Sequence, residues 1–172
     1  LLYTSVDTQL INRLVELAKK YNVGNLRFTI DPPTQSIFSE EDNLLEYIPG
    51  MAYRCSMQAG LWNKKYLNDI FCQCNNGSEF ERVGSFISAK YPEPILGWRG
   101  CAYPYFNAIQ RGKWWPYCIN MVKYNGIEPD LTKHPIMTNK DRFLGEFKGY
   151  ILSINPKLVV KCQNLFNLGK KY

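Results

Sequence analysis

Six cysteines constrain this chain more than any other feature of its sequence. They are Cys55, Cys72, Cys74, Cys101, Cys118 and Cys162. A structural zinc site usually needs two pairs of ligands, each pair two to four residues apart in the chain. Only Cys72 and Cys74 are near each other, their one-residue spacing is too tight, and His134, the single histidine, is far from both. The sequence therefore predicts no metal site.

The stretch "FCQCNNG" also differs from a redox pair, which usually reads C-x-x-C at the N-terminus of a helix. A C-x-C followed by "NNG" is typical of a strand that ends in a turn. An even number of widely spaced cysteines favours disulfides, which are found in secreted or lumenal proteins. Asn76 lies in an N-x-S sequon and is a candidate glycosylation site in the same compartment. We therefore predict that all six cysteines form disulfides.

The connectivity of these disulfides stays open, because six cysteines allow 15 pairings. If "DIFCQC" is a strand, the side chains of Cys72 and Cys74 face the same side, with Cα atoms about 6.5 Å apart. That separation is near the upper limit for a disulfide. We expect each of the two to bond to a different neighbour.

The apolar pattern predicts one α+β domain over residues 1–172. Apolar side chains at a spacing of three and four predict an amphipathic helix over residues 5–22, capped by Ser5. The alternation in "NLRFTID" predicts a half-buried strand, and further strands are predicted in "MAYRCSM", "YLNDIFCQC" and "EFERVGSFIS". A short helix is expected in "EEDNLLEYI", and a hairpin in "FKGYILSI" and "KLVVKC". The helix should pack on mostly antiparallel strands, with long, irregular, aromatic-rich loops over residues 91–124.

The net charge of +6 comes from lysines and arginines scattered along the chain, a pattern typical of a solvated basic surface. We therefore expect no nucleic-acid partner. No apolar run reaches the roughly 18–20 residues that cross a bilayer. The chain begins with Leu1 and Leu2 rather than Met, as expected after an apolar anchor or a removed signal peptide. A trimmed chain would begin in the same way.

No complete catalytic motif is present in the sequence. A Ser-His-Asp or Cys-His centre would have to use His134, which has no nucleophile motif beside it. Glu79 and Glu81 share one face of a predicted strand and are the nearest pair of carboxylates for acid–base chemistry, although such a face is usually only solvated. Glycine-rich phosphate loops are absent from the sequence. We predict a protein that is not an enzyme and has no cofactor.

Residues 97–118, "GWRGCAYPYFNAIQRGKWWPYC", hold three of the four tryptophans. Exposed aromatic side chains bind proteins as hot spots, bind sugars by stacking, or lie at a membrane interface. A small core under a loop is the alternative explanation. Adjacent Trp114 and Trp115 cannot easily bury both rings on one side of a strand. The candidate contact residues for a partner or a glycan are Trp98, Arg111, Lys113, Trp114 and Trp115.

With "IPGMAYRC", "FCQCNNG" and "GWRGCAYPYF", the chain resembles the baculovirus per os infectivity factors. The resemblance implies an envelope protein of the occlusion-derived virion, held in the membrane by an N-terminal apolar segment. It also implies assembly with other infectivity factors into an entry complex that acts on insect midgut cells. The family has no agreed catalytic residues, so none carry over to this chain.

Three functions follow from these observations. The first is a disulfide-stapled, membrane-anchored ectodomain on the extracellular face of a viral envelope, acting as a non-enzymatic subunit of the entry complex. The second is a secreted carbohydrate-binding module that uses Trp98, Trp114 and Trp115. The third is a small secreted hydrolase, which would need two carboxyl groups with perturbed pKa values in a cleft.

Overall fold

The computed structural model describes residues 5–30, 34, 36–51, 53–110, 112–143 and 147. Their contacts divide the chain into two compact units, an N-terminal unit, Asp7–Tyr103, and a C-terminal unit, Pro104–Lys148. Helices and sheets are mixed along the chain, which confirms the predicted α+β class. The prediction of one domain over residues 1–172 stays a prediction.

Helix α1, Thr8–Lys20, confirms the predicted amphipathic helix at the start of the chain. Its N-cap is Asp7, not Ser5, because the Asp7 carboxylate accepts hydrogen bonds from the backbone N–H groups of Gln9 and Leu10. The apolar face buries Leu14 and Leu17.

The strands of the N-terminal unit form a five-stranded sheet among the described residues, in the order β2-β3-β5-β1-β4. The strands are β1 (Asn25–Arg27), β2 (Ser36–Ser39), β3 (Leu44–Glu46), β4 (Gly60–Trp62) and β5 (Ile95–Trp98). The pair β1–β5 is parallel, and the other three pairs are antiparallel. The prediction of mostly antiparallel strands is therefore confirmed.

The sheet separates two apolar cores, because neighbouring residues of a strand face opposite sides. Leu26 and Leu96 pack with Leu14 and Leu17 of α1 in the first core. Ile95, next to Leu96, belongs to the second core. The other members of the second core are Tyr47, Met51, Cys55, Tyr66, Ile70 and Phe80. The sheet is thus covered on both faces, and α1 packs on it as predicted.

The strands predicted in "YLNDIFCQC" and "EFERVGSFIS" are wrong, because both stretches are helical. Helix α2 is Lys64–Phe71, and Asn63 caps it by accepting a hydrogen bond from the Tyr66 N–H. The second stretch contains α3 (Gly77–Glu79), a π-helical turn (Phe80–Gly84), α4 (Ser85–Ile87) and a 3₁₀ turn (Ser88–Lys90). The buried residues are spaced as on a helix face, and the small side chains of Ser85 and Ser88 lie on that face.

Three further expectations also differ from the structure. The predicted helix in "EEDNLLEYI" is a turn followed by β3, because Leu44 and Leu45 are buried in the sheet. The predicted strand in "MAYRCSM" is irregular, with Tyr53 at a positive φ of 57°. Strand β1 is fully buried rather than half-buried, since both Asn25 and Arg27 have no exposed surface.

The C-terminal unit contains a short hairpin and a helix within the stretch predicted to be irregular. Strands β6 (Ile109–Gln110) and β7 (Lys113–Trp114) are antiparallel, and helix α5 is Pro116–Tyr124. The hairpin predicted in "FKGYILSI" and "KLVVKC" lies outside the described residues, except for Phe147. None of the described helices combines the length and the apolar composition that a bilayer span requires.

Candidate interaction surface

Trp114 is held by its backbone in the C-terminal unit. Its N–H donates to the Pro135 carbonyl at 2.9 Å, and its carbonyl accepts from the Met137 N–H at 2.8 Å. These two bonds place Trp114 between the hairpin partner Ile109 and the chain at Ile136. The side chain is half-buried, and its indole N–H is buried without a hydrogen-bond partner among the described residues. Trp114 therefore acts mainly as a packing residue.

Trp115 lies in a different environment, a group of three aromatic side chains that we call the aromatic cluster: Phe106, Trp115 and Tyr117. The ring centres of Trp115 and Tyr117 are 5.6 Å apart, and those of Phe106 and Tyr117 are 5.4 Å apart. Tyr117 is 51% exposed, and the other two are half-buried. Neither Trp114 nor Trp115 is fully buried, in agreement with the expectation that adjacent tryptophans cannot easily bury both rings on one side of a strand.

Lys113, in β7, forms an ion pair with Asp141, with Nζ and Oδ1 2.7 Å apart. The hydrogen bonds from Lys113 and Thr138 hold the pKa of Asp141 well below its usual range. The Lys113 ammonium is thus paired with a residue of its own unit, and the side chain is half-exposed. Arg111, the other predicted basic contact residue, lies outside the described residues.

The C-terminal unit exposes many of its large apolar side chains. Among its described residues, the exposed ones are Ile109, Tyr117, Tyr124, Ile127, Leu131, Ile136, Phe143 and Phe147. The buried ones are Cys118, Val122 and Met137. Phe143 and Phe147 also stack on each other, with ring centres 6.2 Å apart. Six more are half-buried, namely Tyr105, Phe106, Trp114, Trp115, Ile119 and Met121. The exposed apolar side chains of this unit thus outnumber the buried ones, and large exposed apolar patches mark interaction sites.

Trp98 belongs to the N-terminal unit, and it packs partly in the first core of that unit. The half-buried side chain packs against the first core. Its ring lies over Gly100, where any side chain would collide with it. Trp98 is therefore a packing residue, and of the candidate contact residues the structure brings together Lys113, Trp114 and Trp115.

Cys55, Cys72, Cys74 and Cys118 carry free thiols in the structure, and Cys162 lies outside the described residues. Cys55 and Cys118 are buried, Cys72 and Cys101 are exposed, and Cys74 is half-buried. Because Cys72 and Cys74 follow a helix, the strand geometry used to argue about their pairing does not apply. The predicted disulfides stay a prediction.

Asn76 is exposed and caps α3, with its Oδ1 accepting a hydrogen bond from the Glu79 N–H at 2.9 Å. The Glu79 carboxylate in turn accepts two hydrogen bonds from Asn75, and these lower its pKa. Glu81 instead accepts from the Met57 N–H at 2.9 Å. The two glutamates therefore stabilise the chain around Asn76 rather than lining one strand face, as was wrongly expected.

His134 is half-buried, and its Nδ1 lies 3.1 Å from the Gly112 carbonyl oxygen. This contact joins the β6–β7 turn to the chain before Pro135. Within the described ranges, no three His, Cys, Asp or Glu side chains come close enough to hold a metal ion.

An open cleft of about 460 Å³ lies beside α1 in the N-terminal unit. It is lined by Val15, Ala18, Lys19, Asn22, Val23, Leu61, Trp62 and Asn63. Amide and ammonium groups at such a cleft can donate hydrogen bonds to sugar hydroxyl groups, while the Trp62 ring packs against Tyr66 and Phe80. Trp62 did not stand out in the sequence, because an isolated tryptophan between predicted strands gives no such signal.

The sequence also missed Phe106 and Tyr117 as members of the aromatic cluster. One signal was available, since a proline after Trp115 is typical of the first position of a helix, and α5 begins there. A helix start at Pro116 would have placed Trp115 at the N-cap, outside the regular helix that contains Tyr117. Comparisons with protein-family models, curated proteins and solved structures found no significant match to this chain.

Proposed function

We propose that this protein is a non-enzymatic interaction subunit of a viral envelope complex that mediates entry into insect midgut cells. Its resemblance to the baculovirus per os infectivity factors supports this proposal. In this role the chain is a membrane-anchored, disulfide-stapled ectodomain on the extracellular face of the virion envelope. Its partners are the other envelope infectivity factors and the surface of the host cell.

The observation that carries the proposal is the exposed apolar surface of the C-terminal unit. Aromatic side chains with a polar tip, such as Tyr117, are enriched among the residues that dominate binding energy at interfaces. Trp115 supports Tyr117 from one side and Phe106 from another, so the exposed ring is held in place before a partner arrives. Such preorganisation lowers the entropy cost of binding.

The test is co-purification of single variants with the envelope complex under mild detergent. We expect Tyr117→Ala to keep the melting temperature of the wild type and to lose about 2 kcal/mol of binding free energy, or about 30-fold in affinity. Phe86→Ala is the matched control, since Phe86 is 47% exposed but lies in the N-terminal unit. It should retain both stability and partners.

Trp114→Ala separates packing from binding within the same unit. Because Trp114 is half-buried and its indole N–H is buried, removal of the ring should lower the melting temperature. The proposal fails if Tyr117→Ala and Phe86→Ala retain the same partners in the same amounts, or if no viral envelope protein accompanies the wild-type chain.

A glycan-binding function is the second candidate, and the cleft beside Trp62 favours it. In this form the candidate uses Trp62 in place of the predicted Trp98, Trp114 and Trp115. Titration with chitooligosaccharides, followed by Trp fluorescence, tests it, and Lys19→Ala should weaken the response without loss of folding, because Lys19 lines the cleft and is exposed. An unchanged spectrum at millimolar sugar would remove this candidate and leave the interaction proposal intact.

A further inference from the structure

Two of the cysteine side chains meet at one buried cluster of the N-terminal unit. Cys55 has no exposed surface and belongs to the second core. Cys74 is half-buried and packs against the same core. Nineteen positions separate them along the chain, so the fold, and not the local sequence, brings them into the same cluster.

The backbone contacts of both cysteines converge on one helical turn. The Cys55 N–H donates to the Ser85 hydroxyl at 2.9 Å. The Cys74 thiol donates to the Ile70 carbonyl at 3.5 Å. The backbone of Gly84, the residue before Ser85, acts on the same thiol to lower its pKa. Consecutive residues of the segment that contains the π-helical turn therefore interact with the two cysteines.

The other described cysteines lack this relationship. Cys72 is exposed, and its sulfur donates to the Asn68 side chain at 3.5 Å, back along α2. Cys101 is exposed after β5, and Cys118 is buried in the C-terminal unit. Among the described residues, Cys55 and Cys74 are thus the pair that a single packed cluster brings together.

We propose that Cys55 and Cys74 form a disulfide in the mature protein. The proposal rests on the oxidising compartment of the proposed function. In the balanced step, the two thiols together lose two protons and two electrons as the bond between their sulfurs forms. The oxidant is a disulfide of the thiol–disulfide oxidoreductase class, or glutathione disulfide, which accepts them and becomes two thiols.

Burial determines when this bond can form. It raises the pKa of the Cys55 thiol to about 11, and it also raises the pKa of Cys74. The thiolate is the attacking species, so both cysteines are poor nucleophiles once the core has closed. The disulfide therefore forms while the chain is folding, and the closed core then protects it from reductants. It closes a loop of about 20 residues that contains β4 and α2.

The pairing is tested by refolding the reduced chain in a glutathione redox buffer with a disulfide isomerase. The product is denatured, alkylated without reductant, digested and analysed by mass spectrometry. We expect a peptide pair joined through Cys55 and Cys74 that is about 2 Da lighter than the two reduced peptides. Cys74→Ala should leave Cys55 open to alkylation, and Cys55→Ala should do the same for Cys74.

Cys72→Ala is the matched control, because Cys72 is only two residues from Cys74 yet exposed. It should retain the joined peptides. If Cys55→Ala does not fold, Cys74→Ala provides the same reading from a half-buried position. The proposal is overturned if Cys74 joins a different cysteine, or if both thiols are alkylated in folded wild-type protein. That result would leave the proposed function standing wherever the aromatic cluster still binds its partners.

Discussion

The guanidinium carbon of Arg27 lies 3.8 Å from the centre of the Tyr47 ring, and neither side chain is exposed. The guanidinium also donates to the carbonyls of Tyr53 and Arg54. Arg54 is buried as well, and it donates to the Tyr47 carbonyl at 2.7 Å and to the Ser88 hydroxyl at 2.8 Å. Backbone carbonyls and an aromatic face thus stabilise two buried cations in the second core.

Replacing Arg27 by Met should destabilise the N-terminal unit by about 2–4 kcal/mol, as measured by urea unfolding. The methionine fills most of the volume, but the carbonyls of Tyr53 and Arg54 lose a charged donor in a buried site. Arg82→Met is the control, because Arg82 is exposed, and it should change stability by less than about 0.5 kcal/mol. Equal effects of the two substitutions would show that Arg27 does not organise the core.

The burial of Arg27 also shows what the sequence could not predict about strand β1. Alternation in "NLRFTID" correctly located a strand and the inward face of Leu26. The same alternation assigned Arg27 to a solvated face, since long charged residues are seldom fully buried. The carbonyls that accept hydrogen bonds from its guanidinium belong to residues 53 and 54. No local sequence pattern predicts contacts with residues so far along the chain.

Helix α1 was predictable because its apolar stripe repeats over four turns, long enough to separate a helical period from a strand period. Residues 64–90 were not, because each helical piece is short and one is a π-helical turn. Their buried face includes Ser85 and Ser88, which read as polar positions of an alternating strand. The asparagine caps at Asn63 and Asn76 were the missed signals.

The sequence predicted the location of the candidate surface but not the separate roles of its two tryptophans. The density of aromatic residues over residues 97–118 identified the segment, and adjacency identified Trp114 and Trp115. The assignment of Trp114 to packing and Trp115 to the aromatic cluster depends on hydrogen bonds to residues 135 and 137, which sequence spacing does not reveal.

Asn76 should carry an N-linked glycan when the chain is made in a secretory pathway. The residue is exposed, and its cap uses Oδ1, whereas a glycan attaches to Nδ2. Endoglycosidase treatment should therefore lower the mass of the wild-type protein. Asn76→Asp removes the acceptor but keeps a capping carboxylate, and Ser78→Ala removes the sequon but keeps the asparagine.

Both variants should lose the glycan and keep the melting temperature of the deglycosylated wild type. A lower melting temperature for Ser78→Ala alone would indicate a structural role for that hydroxyl. Wild-type protein from a secretory pathway without any glycan would contradict the prediction for Asn76, and it would weaken the assignment to a lumenal compartment.

Asp42 should make the stability of the N-terminal unit depend on pH. Its Oδ2 accepts from the Lys20 ammonium at 2.8 Å and from the Tyr21 hydroxyl at 2.7 Å, which ties the end of α1 to the turn between β2 and β3. These two hydrogen bonds lower the pKa of Asp42. A carboxyl group with a depressed folded-state pKa stabilises the fold above its unfolded pKa of about 3.9, and this stabilisation is lost as the pH falls through the folded pKa.

The measurement is the urea midpoint of wild type and Asp42→Asn between pH 7 and pH 3. At pH 7 the variant should unfold at lower urea, because its neutral amide lacks the charge that pairs with Lys20. The difference should shrink as the pH falls below 4, because the Asp42 carboxyl group of the unfolded wild-type chain then begins to take up its proton. Asp69→Asn is the control, since Asp69 pairs with Lys65 four residues away on an exposed helix face, where such pairs contribute little. A wild-type advantage that stays constant from pH 7 to pH 3 would show that the hydrogen-bond geometry at Asp42, and not its charge, stabilises this turn.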